Sequence, residues 1–187
     1  MNLANLNSLK GFKTRGLQQI NQASNLWNSI NNKRGQAIAL NSFGFIYTIS
    51  NEKRNALNYY RQAESLFPKD VDYIQQAQLN NGIGSIYYEY GQIRLAKNYF
   101  QNALTYLEKA NNDYGKLASL PYLAQINYLE GNHQTSEKLF QESLNLAERI
   151  KAFYLSAILQ QQMGNIDFDK GEYDSAISKY QNALSII

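Results

Sequence analysis

Residues of one kind recur every 40 positions along this chain of 187 residues. A row of small residues comprises Gly44, Gly84, Ala124 and Gly164. An aromatic row comprises Tyr60, Phe100, Phe140 and Tyr180. A third row, of residues suited to turns, comprises Asn51, Gly91, Gly131 and Gly171. Self-similarity at a fixed period is typical of a solenoid, in which each unit buries its apolar face only against its neighbours. The period therefore predicts one repetitive array.

One period has the pattern of two amphipathic helices joined by a tight turn. Between Ala37 and Tyr47, apolar and small residues recur at spacings of three and four, which places them on one helix face. Asn51 and the glycines of its row tolerate the left-handed backbone conformation that ends a helix. A second stripe of small and aromatic residues follows and stops at Pro68, which cannot continue a helix. Each unit is thus predicted to be an antiparallel helix pair.

The order of these residues resembles the tetratricopeptide repeat (TPR). In the first full unit the motif is Phe43-Gly44-x-x-Tyr47, followed by Ala56-x-x-x-Tyr60-x-x-Ala63 and Pro68. The usual TPR period is about 34 residues, and longer units are similar to those of kinesin light chain-like, Pins-like and bacterial regulatory TPR proteins. HEAT and armadillo repeats have a similar period but lack this grid of residues. The resemblance implies an all-α fold, a right-handed α-solenoid of antiparallel helix pairs known as the TPR superhelix.

The resemblance covers the whole chain as a single TPR array. The predicted units are a partial, degenerate repeat at 1–30 and repeats at 31–70, 71–110, 111–150 and 151–187. A solenoid needs terminal units with a polar outer face, whereas this sequence starts within a unit and ends on Ile186 and Ile187. We therefore expect the chain to be part of a longer protein, or to self-associate through uncapped helical ends.

The third and fourth units depart from the pattern at the Tyr position of their first helices. Asn127 and Asp167 stand where the first two units have a tyrosine. We expect Tyr128 and Phe168, one residue later, to compensate for the missing ring in the packing of these helices.

Pro121 lies within the predicted first helix of the third unit. Because proline removes a backbone hydrogen bond inside a helix, two outcomes are open. Either the helix begins or bends near Ser119, or it kinks and offers the carbonyl of Leu117 to a ligand.

Composition argues against an enzyme. The chain has no Cys and one His, His133, which follows a predicted turn, so nucleophiles that need a histidine base and clustered histidine metal ligands are disfavoured. Asp167, Asp169 and Glu172 place three carboxylates near one turn, but their spacing does not match a calcium loop. We expect no catalytic residue, no cofactor and no bound metal.

The charge pattern argues against a nucleic-acid or membrane partner. The 18 basic and 15 acidic residues, with a net charge of +3, are interspersed without a long run of one sign. No stretch reaches the roughly 18 to 20 apolar residues that span a bilayer, and the first residues lack the blocks of a signal peptide. Together with the absence of Cys, these features predict a cytoplasmic protein.

The resemblance also assigns positions that face the concave groove, which TPR proteins line mainly with their first helices. These predicted peptide-binding positions are Asn41, Phe45, Asn81, Ser85, Tyr88, Gln125, Tyr128, Gln161, Asn165 and Phe168. An amide both donates and accepts hydrogen bonds and can therefore bridge the backbone of an extended peptide, while aromatic neighbours supply apolar anchoring. None of these positions holds Lys or Arg, which disfavours capture of an acidic peptide tail.

The sequence thus predicts a non-catalytic protein–protein interaction scaffold that binds a peptide or protein segment in its groove. The alternative is the sensory or regulatory arm of a larger signalling enzyme or regulator, in which partner binding shifts the state of an effector. The domains that adjoin this segment in the full-length protein distinguish the two.

Overall fold

The computed structural model describes residues 3–68 and 72–186, with the side chains from residue 11 onward in those ranges. Within them, every regular element is an α-helix. The helices are α1 Leu3–Ser29, α2 Lys33–Ile49, α3 Lys53–Leu66, α4 Tyr73–Glu89, α5 Ile93–Lys109, α6 Asp113–Lys116, α7 Leu120–Leu129, α8 His133–Arg149, α9 Phe153–Asp169 and α10 Tyr173–Ile186. Short turns join most successive helices, as in antiparallel helix pairs, and chain neighbours pack side by side from α1 to α4 and from α7 to α10.

From α2 onward, helices begin at a regular step that is half of the sequence period. The first residues in this register are Lys33, Lys53, Tyr73, Ile93, Asp113, His133, Phe153 and Tyr173. Residues with positive φ follow the same step in the turns, at Asn31, Asn51, Gly91, Asn111, Gly131, Lys151 and Gly171. This conformation lets the next amides return to the last helical turn, as Glu52 N–H does to the Tyr47 carbonyl at 2.8 Å.

The small and aromatic rows of the sequence meet inside the helix pairs. In three pairs the glycine of the first helix lies against the aromatic ring of the second: Gly44 on Tyr60, Gly84 on Phe100 and Gly164 on Tyr180. A Cβ on Gly44 would overlap the ring of Tyr60, and the rings of Tyr60 and Phe100 are almost wholly buried. The rows are therefore the contact surface between the first and second helix of each pair.

The chain forms two compact units, Met1–Tyr106 and Leu107–Ile187. In the first unit, α2 packs on α1, α3 and α4, and the ring of Tyr59 stacks on those of Phe43 and Tyr47 at centroid distances of 4.9 and 5.3 Å. In the second unit, α8 packs on α6, α7 and α9, and α9 on α10. Its core includes Leu120, Leu123, Ile126, Phe140 and Leu159.

In the fourth unit, the residue that follows the irregular Tyr position does not replace the missing ring. Asn127 is buried and donates its side-chain amide to the Leu123 carbonyl at 2.7 Å. Asp167 is also buried, and it accepts hydrogen bonds from the side chains of Ser175 and Lys179. Phe168 is 57% exposed, so the compensation that we expected from it is wrong. A polar network fills the space of the tyrosine ring in the fourth pair.

Pro121 lies at the start of a helix and does not kink one. The short helix α6 ends at Lys116, and three residues with i to i−3 hydrogen bonds follow before α7 begins at Leu120. Proline is favoured in the first turn because no intrahelical partner exists there for a backbone N–H. Of the two outcomes that the sequence leaves open, the structure has the helix beginning near Ser119.

The predicted degenerate unit at 1–30 contains one long helix, α1. Gly11 stands one sequence period before Asn51, yet it continues the helix and makes no turn. The helix packs on α2, where the indole of Trp27 lies against Gly35 and Gly16 lies against Ile46. The boundaries of the five predicted units remain a prediction.

Candidate functional site

In the first unit, the predicted groove positions on α2 differ sharply in exposure. Asn41 is 5% exposed, and its amide nitrogen lies 3.4 Å from the Gln75 carbonyl and 3.3 Å from Gln75 Oε1. Its donors therefore link α2 to α4. Phe45, one helical turn later, is 56% exposed. Of these two, Phe45 is the side chain that a ligand can reach.

On α4 the three predicted groove positions are half-buried. Ser85 donates its hydroxyl to the Gly82 carbonyl at 2.9 Å, a bond within its own helix. Asn81 and Tyr88 share the same face, because they lie one helical turn before and after Ser85. Burial raises the pKa of the Tyr88 hydroxyl, so this residue stays a neutral hydrogen-bonding group.

In the second unit, α7 contributes Gln125 and Tyr128, both half-buried. The ring of Tyr128 lies against the ring of His133, with centroids 5.1 Å apart. This contact fixes the tyrosine at the end of α7 while part of its surface stays accessible.

The predicted positions on α9 are exposed. Gln161 and Asn165 lie one turn apart, and Asn165 accepts a hydrogen bond from the Tyr180 hydroxyl at 2.8 Å through its Oδ1 atom. Phe168 makes an edge contact with Tyr173, with centroids 5.5 Å apart. Among the predicted positions, Phe45, Gln161, Asn165 and Phe168 are the exposed ones.

The sequence reading missed a further row of exposed residues on the same helix faces. It lies two helical turns before the Asn41 row and comprises Arg34, Ile74 and Tyr154, while Tyr114, at the equivalent sequence position of the third unit, lies on the separate helix α6. Tyr154 is 71% exposed, and it precedes Gln161 and Phe168 by two and four helical turns, which keeps the three on one face of α9. Extending the predicted face backwards by two turns would have found this row.

The faces of these first helices carry few charges. Arg34 forms an ion pair with Asp72, which occupies its guanidinium. Asp169 and Glu89 lie at the far ends of α9 and α4. The accessible chemistry is thus that of aromatic rings and amides, with little net charge.

A separate, charged concavity lies between α6 and α8. Its volume is about 610 Å³, and its lining includes Asp113, Lys116, Lys138 and Arg149. Asp113 accepts from both Lys116 and Arg149; the hydrogen bond from Lys116 is the main cause that lowers its pKa. Lys116 and Arg149 thus share the carboxylate of Asp113.

The described residues contain neither a candidate metal site nor a candidate membrane-spanning helix. Among them, no three His, Asp or Glu side chains are grouped so that they could hold a metal ion. No described helix is both long and apolar enough to cross a bilayer.

Comparison with known proteins agrees with this architecture. Residues 77–112 match the family model of the tetratricopeptide repeat. No curated protein matches the chain.

Solved structures with a similar fold share little sequence with the chain. BtubC (BKLC) from P. vanneervenii has a TM-score of 0.73 at 14% identity, over 97% of this chain and 73% of that one. MamA has a TM-score of 0.64 at 16% identity, over 100% of this chain and 95% of that one. A kinesin light chain-like protein from Podospora anserina with nearly identical TPR-like repeats has a TM-score of 0.69 at 13% identity, over 97% of this chain and 94% of that one. These likenesses confirm the predicted fold class.

Proposed function

We propose that this chain, in which residues 77–112 match the tetratricopeptide-repeat model, is a non-catalytic scaffold that binds a peptide or protein segment on the exposed faces of its first helices. The TPR fold is that of protein–protein interaction scaffolds. The observation that carries the proposal for this chain is the exposure of Phe45 on α2 and of Phe168 on α9, each on the face that the repeat pattern assigns to the groove.

Exposed aromatic rings of this kind suit an apolar anchor in the ligand. A phenylalanine that is more than half exposed gains from being covered, because burial of its ring removes apolar area from water. Gln161 and Asn165 stand beside Phe168 and can hydrogen-bond the backbone of a segment that lies along α9. In the first unit Asn41 is occupied by Gln75, so Phe45 and the half-buried Asn81, Ser85 and Tyr88 define the face there.

The ligand that fits is an uncharged or weakly charged segment with aromatic or aliphatic side chains. No cation stands at the proposed positions to hold a terminal carboxylate, and Arg34, on the same face of α2, is paired with Asp72. Nucleic acid and a membrane surface fit poorly for the same reason. A cytoplasmic location stays part of this proposal.

The test is selection from a random peptide library against the intact chain, followed by affinity measurements on the selected peptides. We expect Phe168→Ser and Phe45→Ser each to weaken binding of peptides that contact their unit by about tenfold, the effect of about 1.4 kcal/mol. Leu95→Ser, at an exposed apolar residue of the second helix α5, is the control. If all three variants bind the peptides with equal affinity, the peptides do not bind on the first-helix faces.

The amides are tested with a matched pair of substitutions. Gln161→Ala on α9 is expected to weaken peptide binding, whereas Gln181→Ala removes an exposed glutamine of the second helix α10 and is expected to have no effect. If both variants bind as the parent chain does, the aromatic residues hold the ligand without the amides.

The alternative is that the same faces serve as the sensory or regulatory arm of a larger enzyme or regulator. It adds a requirement that scaffolding lacks, since ligand binding must change the activity of an adjoining domain. The sequence of the full-length protein and an activity measurement with the selected peptides separate the two functions.

A further inference from the structure

The outer face of α10 carries exposed apolar side chains in a helix-packing register. Tyr173, Ile177 and Leu184 are 59%, 52% and 76% exposed and lie at i, i+4 and i+11, within about 40° of arc on the helix. One period earlier, the counterpart of Leu184 is Leu144 on α8, which is 6% exposed because α8 packs against α9. The counterparts of Tyr173 and Ile177 on α8 are His133 and Glu137, which are exposed and polar, so the apolar side chains at these two positions are particular to α10.

The outer face of α1 carries a second stripe, in which two exposed apolar side chains flank three polar ones. Phe12 and Leu26 are 54% and 67% exposed. Exposed Arg15, Gln19 and Gln22 lie between them, so that successive members of the stripe are spaced by three and four positions. This is the spacing by which two helices pack along a shared seam.

The two stripes lie in regions of opposite charge. The chain has no acidic residue before Glu52, and α1 contains three basic residues. The turn before α10 and its first turn contain exposed Asp169, Glu172 and Asp174 against Lys170. The other cation of this region, Lys179, is paired with Asp167.

The two compact units also differ in the sign of their net charge. The first unit has 11 basic and 5 acidic residues, a formal charge of +6, and the second has 7 basic and 10 acidic residues, a charge of −3. The charges are interspersed without a long run of one sign, yet the two units differ in net charge. Charge is separated between the units that carry α1 and α10.

We propose that α10 of one copy of this chain packs against α1 of a second copy, so that copies associate head to tail. The exposed apolar side chains of the two stripes supply the buried area, and the carboxylates near α10 face Arg15 of α1, whereas Lys13 is already paired with Glu52. Pairing of α1 with α1, or of α10 with α10, would instead bring like charges together. Because the two surfaces differ, a dimer keeps one free α1 surface and one free α10 surface, and association continues beyond it.

The experiment is sedimentation velocity on the full chain over a concentration series, with two double variants. F12S/L26S removes the stripe of α1, and I177S/L184S removes that of α10. We expect the parent chain to form dimers and larger species, and each variant alone to associate at least about tenfold more weakly. The diagnostic result is the mixture of the two variants, which retains one intact α10 and one intact α1 and should give a one-to-one dimer that grows no further.

Three controls keep the result interpretable. Leu95→Ser removes an exposed apolar residue elsewhere and should leave association unchanged. Thermal melts followed by circular dichroism identify a variant that does not fold, in which case Arg15→Glu and Asp174→Lys replace the apolar variants. Raising the salt concentration should weaken association, because it screens the opposite charges.

A parent chain that stays monomeric up to about 1 mM, the range of a weak Kd, would overturn the proposal. So would a homodimer that persists in F12S/L26S, or association that salt does not weaken. None of the substituted residues belongs to the proposed peptide-binding positions, so failure of head-to-tail association leaves the peptide-binding proposal intact, and the reverse also holds.

Discussion

The tight contact between Gly44 and the ring of Tyr60 shows how one missing methyl group sets the distance between two helices. A Cβ at Gly44 would overlap the ring, whereas a Cβ at Gly84 would lie 3.1 Å from Phe100. The same row contains Ala124, whose counterpart in the aromatic row is Phe140, and both are buried. A methyl group is thus accommodated against phenylalanine in one pair, while the tyrosine pair leaves no space for it.

We predict that Gly44→Ala destabilises the chain by about 1 to 3 kcal/mol, because overpacking outweighs the gain of about 0.5 to 1 kcal/mol in helix propensity. Gly84→Ala should stay within about 1 kcal/mol of the parent chain, since propensity and mild crowding oppose each other there. Urea unfolding of both variants measures the difference. Equal destabilisation by the two substitutions would contradict this account.

Asp167 is a buried carboxylate at a position where the first two full units have a tyrosine. Burial by itself raises its pKa, but hydrogen bonds from Lys179 and Ser175 outweigh it and hold the pKa below the ordinary value of 3.8. A carboxyl group with a lowered pKa stabilises the folded state above its unfolded pKa, and this contribution is lost as the pH falls through the folded value.

We predict that Asp167→Asn lowers stability at neutral pH by about 1 to 3 kcal/mol, because Lys179 loses its charged partner. The difference between variant and parent should shrink as the pH falls below about 4, where the parent also begins to lose the carboxylate. Urea unfolding at several pH values gives the comparison. A difference that stays constant down to about pH 2, well below the ordinary pKa of an aspartate, would show that the charge of Asp167 does not contribute.

At the scale of the helices, the dominant feature is the turn between them. Turns recur at half of the sequence period and place one residue at positive φ. Asparagine and glycine, which tolerate this conformation, occupy most of these positions. Lys151, at φ 56°, is the exception in the described turns of this series.

We predict that Lys151→Gly stabilises the chain by about 1 kcal/mol, because it relieves the left-handed conformation of a residue that bears a Cβ. Gly131→Ala, at φ 78° in the preceding turn, should destabilise it by a similar amount. Thermal melts of the two variants should shift in opposite directions. Shifts of the same sign would mean that side-chain contacts, and not φ, govern stability at these turns.

At the scale of the whole molecule, two kinds of surface differ in their dependence on charge. The proposed peptide-binding positions hold no charged residue, whereas α1 and α10 lie in units of charge +6 and −3. Salt screens exposed charges, so it weakens an interaction between oppositely charged surfaces more than one between uncharged surfaces.

We therefore predict that the affinity of the chain for a selected peptide changes by less than about twofold between low and physiological salt, within the screening range of exposed charges. Isothermal titration at both salt concentrations checks this, with a peptide of zero net charge as the probe. The salt dependence of self-association over the same range is the internal comparison. A steep fall in peptide affinity would indicate a charged contact outside the proposed positions.

The repeated rows of residues by themselves determined the all-α fold, the helix pairs, and the glycine and aromatic residues that join them, because packing at a fixed period repeats the same residue types. Tertiary structure decided what the rows leave open. It placed Asn41 against Gln75, gave Asp167 a serine and a lysine as partners, and left Phe168 exposed. The physical reason is that a repeat pattern fixes which face of a helix a residue occupies, whereas its exposure and partners depend on side chains from other helices.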